Sequence, residues 1–233
     1  MKRTRLACGI VAGPLFIAAS LSQAFTRRGF DLARHPISLL SLGSPGWVQI
    51  ANFVVCGILY VIGAVGLRIE LRSGRGSTWG PLLVGITGVG LIIAGLFTAD
   101  PGAGFPPGAP IGAPSMSWHG ASHEVGFLLT FVGAIAACGV FARRYATLGR
   151  SAWAIAGVVT IVAALIAAGW PDLNSLSVRL VIATALPFGS LTAVALQHYG
   201  EAELSADGSA ARASSRGSRH GEPRHELTTR RSG

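Results

Sequence analysis

The sequence has little charge. Asp, Glu, Lys and Arg make up 12% of the 233 residues, whereas soluble domains carry about 25%. Half of the residues are hydrophobic, and they occur in long runs separated by short polar stretches. This composition excludes an ordinary soluble domain and places the chain among membrane proteins.

Cysteines, and charged residues in the middle of the apolar runs, are also scarce. Cys8, Cys56 and Cys138 each lie inside an apolar run, so they are predicted to be buried hydrophobic residues and not a disulfide framework. The His-Glu-x-x-His pattern of zinc proteases is absent from the sequence. No charged residue falls in the middle of an apolar run beside Pro14 or Pro187, which argues against coupled ion transport.

Six apolar runs are long enough to cross a bilayer, which takes about 20 helical residues. They predict an all-α fold, a polytopic six-helix bundle. The first run also resembles a cleavable signal peptide ending near Ala24, and that alternative stays open. The predicted spans are approximately residues 6–25, 47–71, 79–97, 119–141, 152–170 and 178–199. The composition changes at about residue 200, where Ser, Arg, Gly and Glu predict a disordered tail over residues 201–233.

The distribution of basic residues predicts the orientation. Fifteen Lys and Arg residues lie at the N-terminus, in the second and fourth connections and in the tail, against four on the opposite side. Because an excess of positive charge marks the cytoplasmic side of a membrane protein, both termini are expected in the cytoplasm. The apolar spans make the lipid bilayer the expected partner. The charges flank apolar runs, so no nucleic acid partner is expected. No protein partner is indicated.

Acids and imidazoles then gather at the outer face. His119 and His123 are spaced i, i+4, which places both on one helix face about 5–6 Å apart. Two such imidazoles and Asp100 are candidate ligands of a divalent metal such as zinc that would activate water. Glu124 is a candidate base, and Ser38 a candidate oxyanion or head-group contact.

Several alternatives remain at the sequence level. Asp31 and His35 are candidate ligand-binding residues and alternative metal ligands. Asn52, within the second span, is predicted either to donate a hydrogen bond across helices or to contact a ligand. The non-functional interpretation of the whole cluster is that these polar side chains keep a helix end in contact with water. The proline- and glycine-rich loop 98–117 is short of charge and could fold back as a lid.

Three stretches of sequence carry a family resemblance. They are Asp31 to Gly43 with the following Trp47 to Phe53, then Phe97 to Pro101, then His119 to His123 at the head of the fourth span. With the six-span layout they resemble the bacterial membrane family called domain of unknown function 998, over roughly residues 5–200. The resemblance implies a six-helix integral protein of the bacterial plasma membrane and no established activity.

The sequence therefore favours a non-enzymatic membrane bundle whose outer polar cluster binds a ligand or ion. One alternative is a metal-dependent hydrolase or transferase acting on a lipid or envelope substrate at the outer face. Another is a transporter of small solutes or lipids. The three differ in whether Asp31, Asp100, His119 and His123 converge, and in whether a cavity reaches mid-membrane.

Overall fold

The computed structural model of the chain describes residues 2–112 and 115–220, and this part of the chain is all-helical, with no strand. Short 3-10 helices lie at Ile37–Ser41, Ser44–Gly46 and Leu173–Ser175. The long helices are α1 (Lys2–Thr26), α2 (Trp47–Glu70), α3 (Trp79–Leu96), α4 (Trp118–Thr147), α5 (Ser151–Gly169) and α6 (Leu176–His220).

All six helices contain a segment long and apolar enough to cross a membrane, so the predicted six-span, all-α class is confirmed and the chain is a multi-pass membrane protein. Two helices end well beyond their predicted bounds. Helix α4 continues to Thr147, and α6 continues to His220. Helical backbone therefore extends into the predicted disordered tail, and residues 221–233 lie outside the described residues.

The helices form a closed ring. Each packs against the next along the chain, and α6 returns to pack against α1. Helix α5 is peripheral, with 11% of its apolar segment buried against 33–50% in the other five. The interior is therefore built by the other five helices, while α5 presents most of its surface to lipid.

Glycines allow the closest helix contacts. A Cβ built on Gly63 of α2 would lie 2.6 Å from the Cα of Gly9 in α1, a separation that no real side chain tolerates. One on Gly13 would lie 2.8 Å from the hydroxyl of Tyr60. The pair Gly9 and Gly13 therefore serves close packing within the chain, as such pairs commonly do in membranes.

Consecutive spans run in opposite directions, so the α1–α2, α3–α4 and α5–α6 connections meet at one end of the bundle. We call this the loop-covered end, and the opposite end, with the N-terminus, the terminal end. The α3–α4 loop folds over the α1–α2 connection, where Phe105 is 1% exposed and its ring packs on those of Phe30 and His35. The described part of the loop thus folds back onto the α1–α2 connection.

Candidate functional site

His123 joins α4 to the end of α3. Its Nδ1 lies 2.9 Å from the carbonyl oxygens of both Ala94 and Phe97. Carbonyls only accept hydrogen bonds, so Nδ1 carries the hydrogen and donates it to carbonyls that the end of α3 leaves without a helical partner. In the neutral ring Nε2 is then unprotonated, which makes it an acceptor. The imidazole is 3% exposed.

Asp100 holds the start of α4. Its two carboxylate oxygens accept hydrogen bonds from the hydroxyl (2.6 Å) and the backbone N–H (2.7 Å) of Ser117. The Ser117 hydroxyl oxygen in turn accepts from the N–H of Gly120, as a helix N-cap does. The two Ser117 donors, the hydroxyl and then the N–H, hold the pKa of Asp100 below its ordinary value.

The predicted metal site is not assembled. His119 lies on the exposed surface of α4, with its ring 3.5 Å from that of Trp118. Asp100 is engaged by Ser117, and the Nδ1 of His123 by carbonyl groups. Across residues 3–112 and the described part of 115–204, no three His, Cys, Asp or Glu side chains lie close enough together to hold a metal ion. The i, i+4 spacing is correct on the helix, but one histidine points inward while the other stays outside.

His35 and Asp31 also have structural partners. The backbone N–H of Asp31 donates to His35 Nδ1, and Nε2 of the same ring lies 3.1 Å from the carbonyl oxygen of Ala103, to which it donates. The carbonyl of His35 accepts from the hydroxyl of Ser177 at the start of α6. The buried His35 ring therefore joins the α1–α2 connection to the α3–α4 loop, its backbone carbonyl joins that connection to α6, and both ring nitrogens are occupied.

Asn52 makes the cross-helix hydrogen bond that the sequence predicts. Its Nδ2 donates to the carbonyl of Phe16 and to the hydroxyl of Ser20, both 3.1 Å away on α1. Gln49, which is fully buried, donates to the same Ser20 hydroxyl. These contacts place Asn52 in a polar network between α1 and α2, and it is not among the residues that line the cavity described next.

Three other predicted residues converge. Ser38, His123 and Glu124 all line a cavity of about 160 Å³. The polar part of its wall is completed by three hydroxyl residues. They are Thr130, Ser177 and Thr184.

The rest of the cavity wall is apolar. Helices α4 and α6 supply most of the lining residues, α1, α2 and α3 supply others, and α5 contributes no described lining residue. The aromatic part of the wall consists of five phenylalanine rings, those of Phe16, Phe53, Phe127, Phe131 and Phe188. An engineered cavity of about 150 Å³ with such an apolar wall stays dry and binds benzene, so the space fits a ligand group of that size.

The cavity extends from the loop-covered end towards the middle of the bundle. Glu124 is exposed, and Ala134, which also lines the cavity, is fully buried. Their separation of ten positions corresponds to about 15 Å along a helix axis, half of a ~30 Å hydrocarbon core. The 3-10 segment Ile37–Ser41 covers the loop-covered end through Ile37 and Ser38.

A second polar cluster, at the terminal end, was not predicted. His198 of α6 is 4% exposed, and its Nδ1 lies 3.0 Å from a carboxylate oxygen of Glu201. Glu201 also pairs with Arg150, and Glu203 pairs with Arg3. Sequence reasoning assigned both acids to a disordered tail. The i, i+3 spacing of His198 and Glu201 on a continuing helix was the available signal.

Comparison with known proteins adds a family and no activity. No curated protein and no solved structure matches the chain. The profile of one family, described as a protein of unknown function (DUF998), matches residues 10–197, which takes in all six spans. The chain therefore belongs to the DUF998 family.

Proposed function

We propose that the protein is a non-enzymatic membrane bundle that binds a small, largely apolar ligand in the cavity between α4 and α6. The carrying observation is the cavity itself, because it combines an aromatic wall with a polar wall and an exposed end. Ligand sites commonly have this mixture of a mostly apolar lining and a few polar groups.

The proposal includes a location and an orientation. Of the Lys and Arg residues, the larger share belongs to segments at the terminal end, which supports a cytoplasmic terminal end under the positive-inside rule. The cavity then opens towards the outer face of the bacterial plasma membrane. A ligand would enter from that side or from the outer leaflet.

The competing functions have less support. A metal-dependent hydrolase needs ligands that converge, and His119, His123 and Asp100 have separate partners. A transporter needs a path beyond mid-membrane, whereas Tyr60, Phe141 and Phe188 are almost fully buried in one core cluster. The depth of the cavity still favours transport as the second candidate function, with the core cluster as the barrier that would have to open.

Filling the cavity tests the proposal. Ala134→Phe adds a ring on the cavity wall of α4, and Val132→Phe adds one on the same helix at a position that is 53% exposed. Toluene is the probe, and thermal unfolding of the purified protein in nanodiscs is the measurement. We expect toluene to raise the unfolding temperature of the native protein and of Val132→Phe, because a ligand that binds only the folded state stabilises it.

The Ala134→Phe protein should lose that response. An equal rise in all three proteins would show that toluene acts through the bilayer and would overturn the proposal. Folding of Ala134→Phe is checked by its unfolding temperature without toluene, since a ring that fills a cavity without strain leaves that temperature unchanged or higher.

A further inference from the structure

The polar groups that line the cavity are mostly hydrogen-bond acceptors. The hydroxyls of Thr130, Ser177 and Thr184 donate their hydrogens to the carbonyls of Gly126, His35 and Leu180 at 2.6–2.9 Å. A hydroxyl has one hydrogen and two lone pairs, so each of these three groups is left with lone pairs only.

His123 and Glu124 follow the same rule. Because the Nδ1–H of His123 is directed at the carbonyls that end α3, the neutral form of the ring has a lone pair and no hydrogen at Nε2. Glu124 adds an exposed carboxylate, which accepts and does not donate. Among the described lining residues there is no lysine or arginine to offset that charge. Ser38 is the one lining hydroxyl for which the described residues give no bond, so it can donate or accept.

The aromatic wall of the cavity also favours a positively charged ligand. Phe127 and Phe131 lie next to each other on α4, with ring centroids 6.1 Å apart and planes inclined by 16°. Both line the cavity on the helix that carries Glu124. The faces of aromatic rings attract cations within about 6 Å of the ring centroid, so these rings and the carboxylate favour the same kind of ligand.

We infer that the cavity selects an organic cation, a ligand with an apolar body and a protonated amine. The ammonium group supplies the hydrogen atoms that the lining acceptors lack and the positive charge that Glu124 and the rings attract. A carboxylate-bearing ligand would instead face like charge and lone pairs. This inference rests on the proposed function and names the class of its ligand.

Four probes of similar size separate the effects of charge and hydrogen bonding on affinity from the effect of ligand size. Benzylamine, benzyl alcohol, toluene and benzoate share a ring that suits a cavity of about 160 Å³. Dissociation constants are measured by calorimetry on the full chain in nanodiscs of uncharged lipid. We expect benzylamine to bind most tightly, followed by benzyl alcohol, then toluene, with benzoate weakest.

Two variants that each remove one carboxylate test whether the preference for benzylamine comes from Glu124. Glu124→Gln should weaken benzylamine binding about two- to fivefold, the scale of an exposed ion pair, and leave toluene binding unchanged. Asp172→Asn is the matched control, because it removes a carboxylate at the same end of the bundle, in the α5–α6 connection and away from the cavity wall. It should leave both constants unchanged.

The outcomes distinguish the two proposals. If Ala134→Phe abolishes binding of all four probes but benzoate or toluene binds as tightly as benzylamine, the cation inference is overturned while the binding function stands. An equal loss of benzylamine affinity in Glu124→Gln and Asp172→Asn also overturns the inference, because the effect is then one of surface charge. If Ala134→Phe changes no constant, the binding function itself fails.

Discussion

At the loop-covered end, side chains of the same type have different structural roles. His119 and His123 are four residues apart on one helix, yet the first is exposed and the second is buried against the end of α3. The difference arises because His123 lies level with the end of α3, whereas His119 is one turn closer to the start of α4. The same residue type therefore has an interfacial role at one position and a helix-capping role at the other.

The two histidines should differ in their contribution to stability. His123→Ala removes the donor to the carbonyls of Ala94 and Phe97, and a buried acceptor left without a partner costs about 1–3 kcal/mol. His119→Ala is the control, since an exposed substitution usually changes stability by about 0.5 kcal/mol or less. Chemical unfolding in detergent measures both. Equal effects would remove the capping role of His123.

At the scale of elements, the α3–α4 connection is held from both sides. His123 of α4 reaches back to the end of α3, and Asp100 after α3 reaches forward to Ser117 at the start of α4. Each helix thus supplies the capping partner of the other. Two of the three residues that the sequence suggested as metal ligands, His123 and Asp100, make this reciprocal connection.

The Asp100 cap predicts a dependence of stability on pH. Its pKa in the folded protein lies below the ordinary value of 3.8, so the unfolded state binds the proton more readily. The stabilisation is complete above about pH 4 and is lost as the pH falls through the lower folded-state pKa.

The measurement compares the native protein with Asp100→Asn. The native protein should be the more stable above about pH 4, and the difference should shrink as the medium becomes more acidic. A difference that persists unchanged at the lowest pH at which both proteins fold would show that the charge of Asp100 is not its source.

Helix contacts also depend on Gly126. A Cβ there would lie 2.6 Å from the backbone nitrogen of Ala94 and 2.8 Å from the carbonyl oxygen of Gly90, so Gly126→Ala forces α3 and α4 apart. We expect a loss of about 1–3 kcal/mol, as for other overpacked cores. Gly139→Ala on the same helix is the control.

The control should behave in the opposite way. A Cβ at Gly139 meets only a side-chain carbon of Ile161 at 3.7 Å, an ordinary contact, and alanine favours the helix by up to about 1 kcal/mol over glycine. Thermal unfolding of the two variants in one detergent separates the effects. Equal destabilisation would mean that the α3–α4 contact is looser than these distances indicate.

At the scale of the whole molecule, the bundle has two different ends. The loop-covered end carries the cavity and the α3–α4 loop, whose Phe105 is buried against rings of the α1–α2 connection. The terminal end is tied by Arg3–Glu203 and Arg150–Glu201 pairs, whose side chains are 39–47% exposed. Exposed pairs contribute about 1 kcal/mol or less, so they guide the position of α6 more than they stabilise the bundle.

The orientation is tested by fusing reporters to the C-terminus. The excess of arginine at the terminal end predicts that a fluorescent protein fused there is active and that alkaline phosphatase, which requires the periplasm, is inactive. A fusion at Gly108 in the α3–α4 loop should give the reverse result. Phosphatase activity at the C-terminus would place the cavity on the cytoplasmic side.

The sequence by itself determined the number of spans and most of their ends, because long apolar runs between polar connections have few other solutions in a bilayer. It also offered a hydrogen bond across helices as one of two roles for Asn52, and the structure contains that bond. Only the tertiary structure decided the roles of His123, His35 and Asp100, because each forms hydrogen bonds with a partner in another segment of the chain. Spacing along one helix shows which residues share a face, whereas burial and hydrogen bonding depend on which element packs against that face.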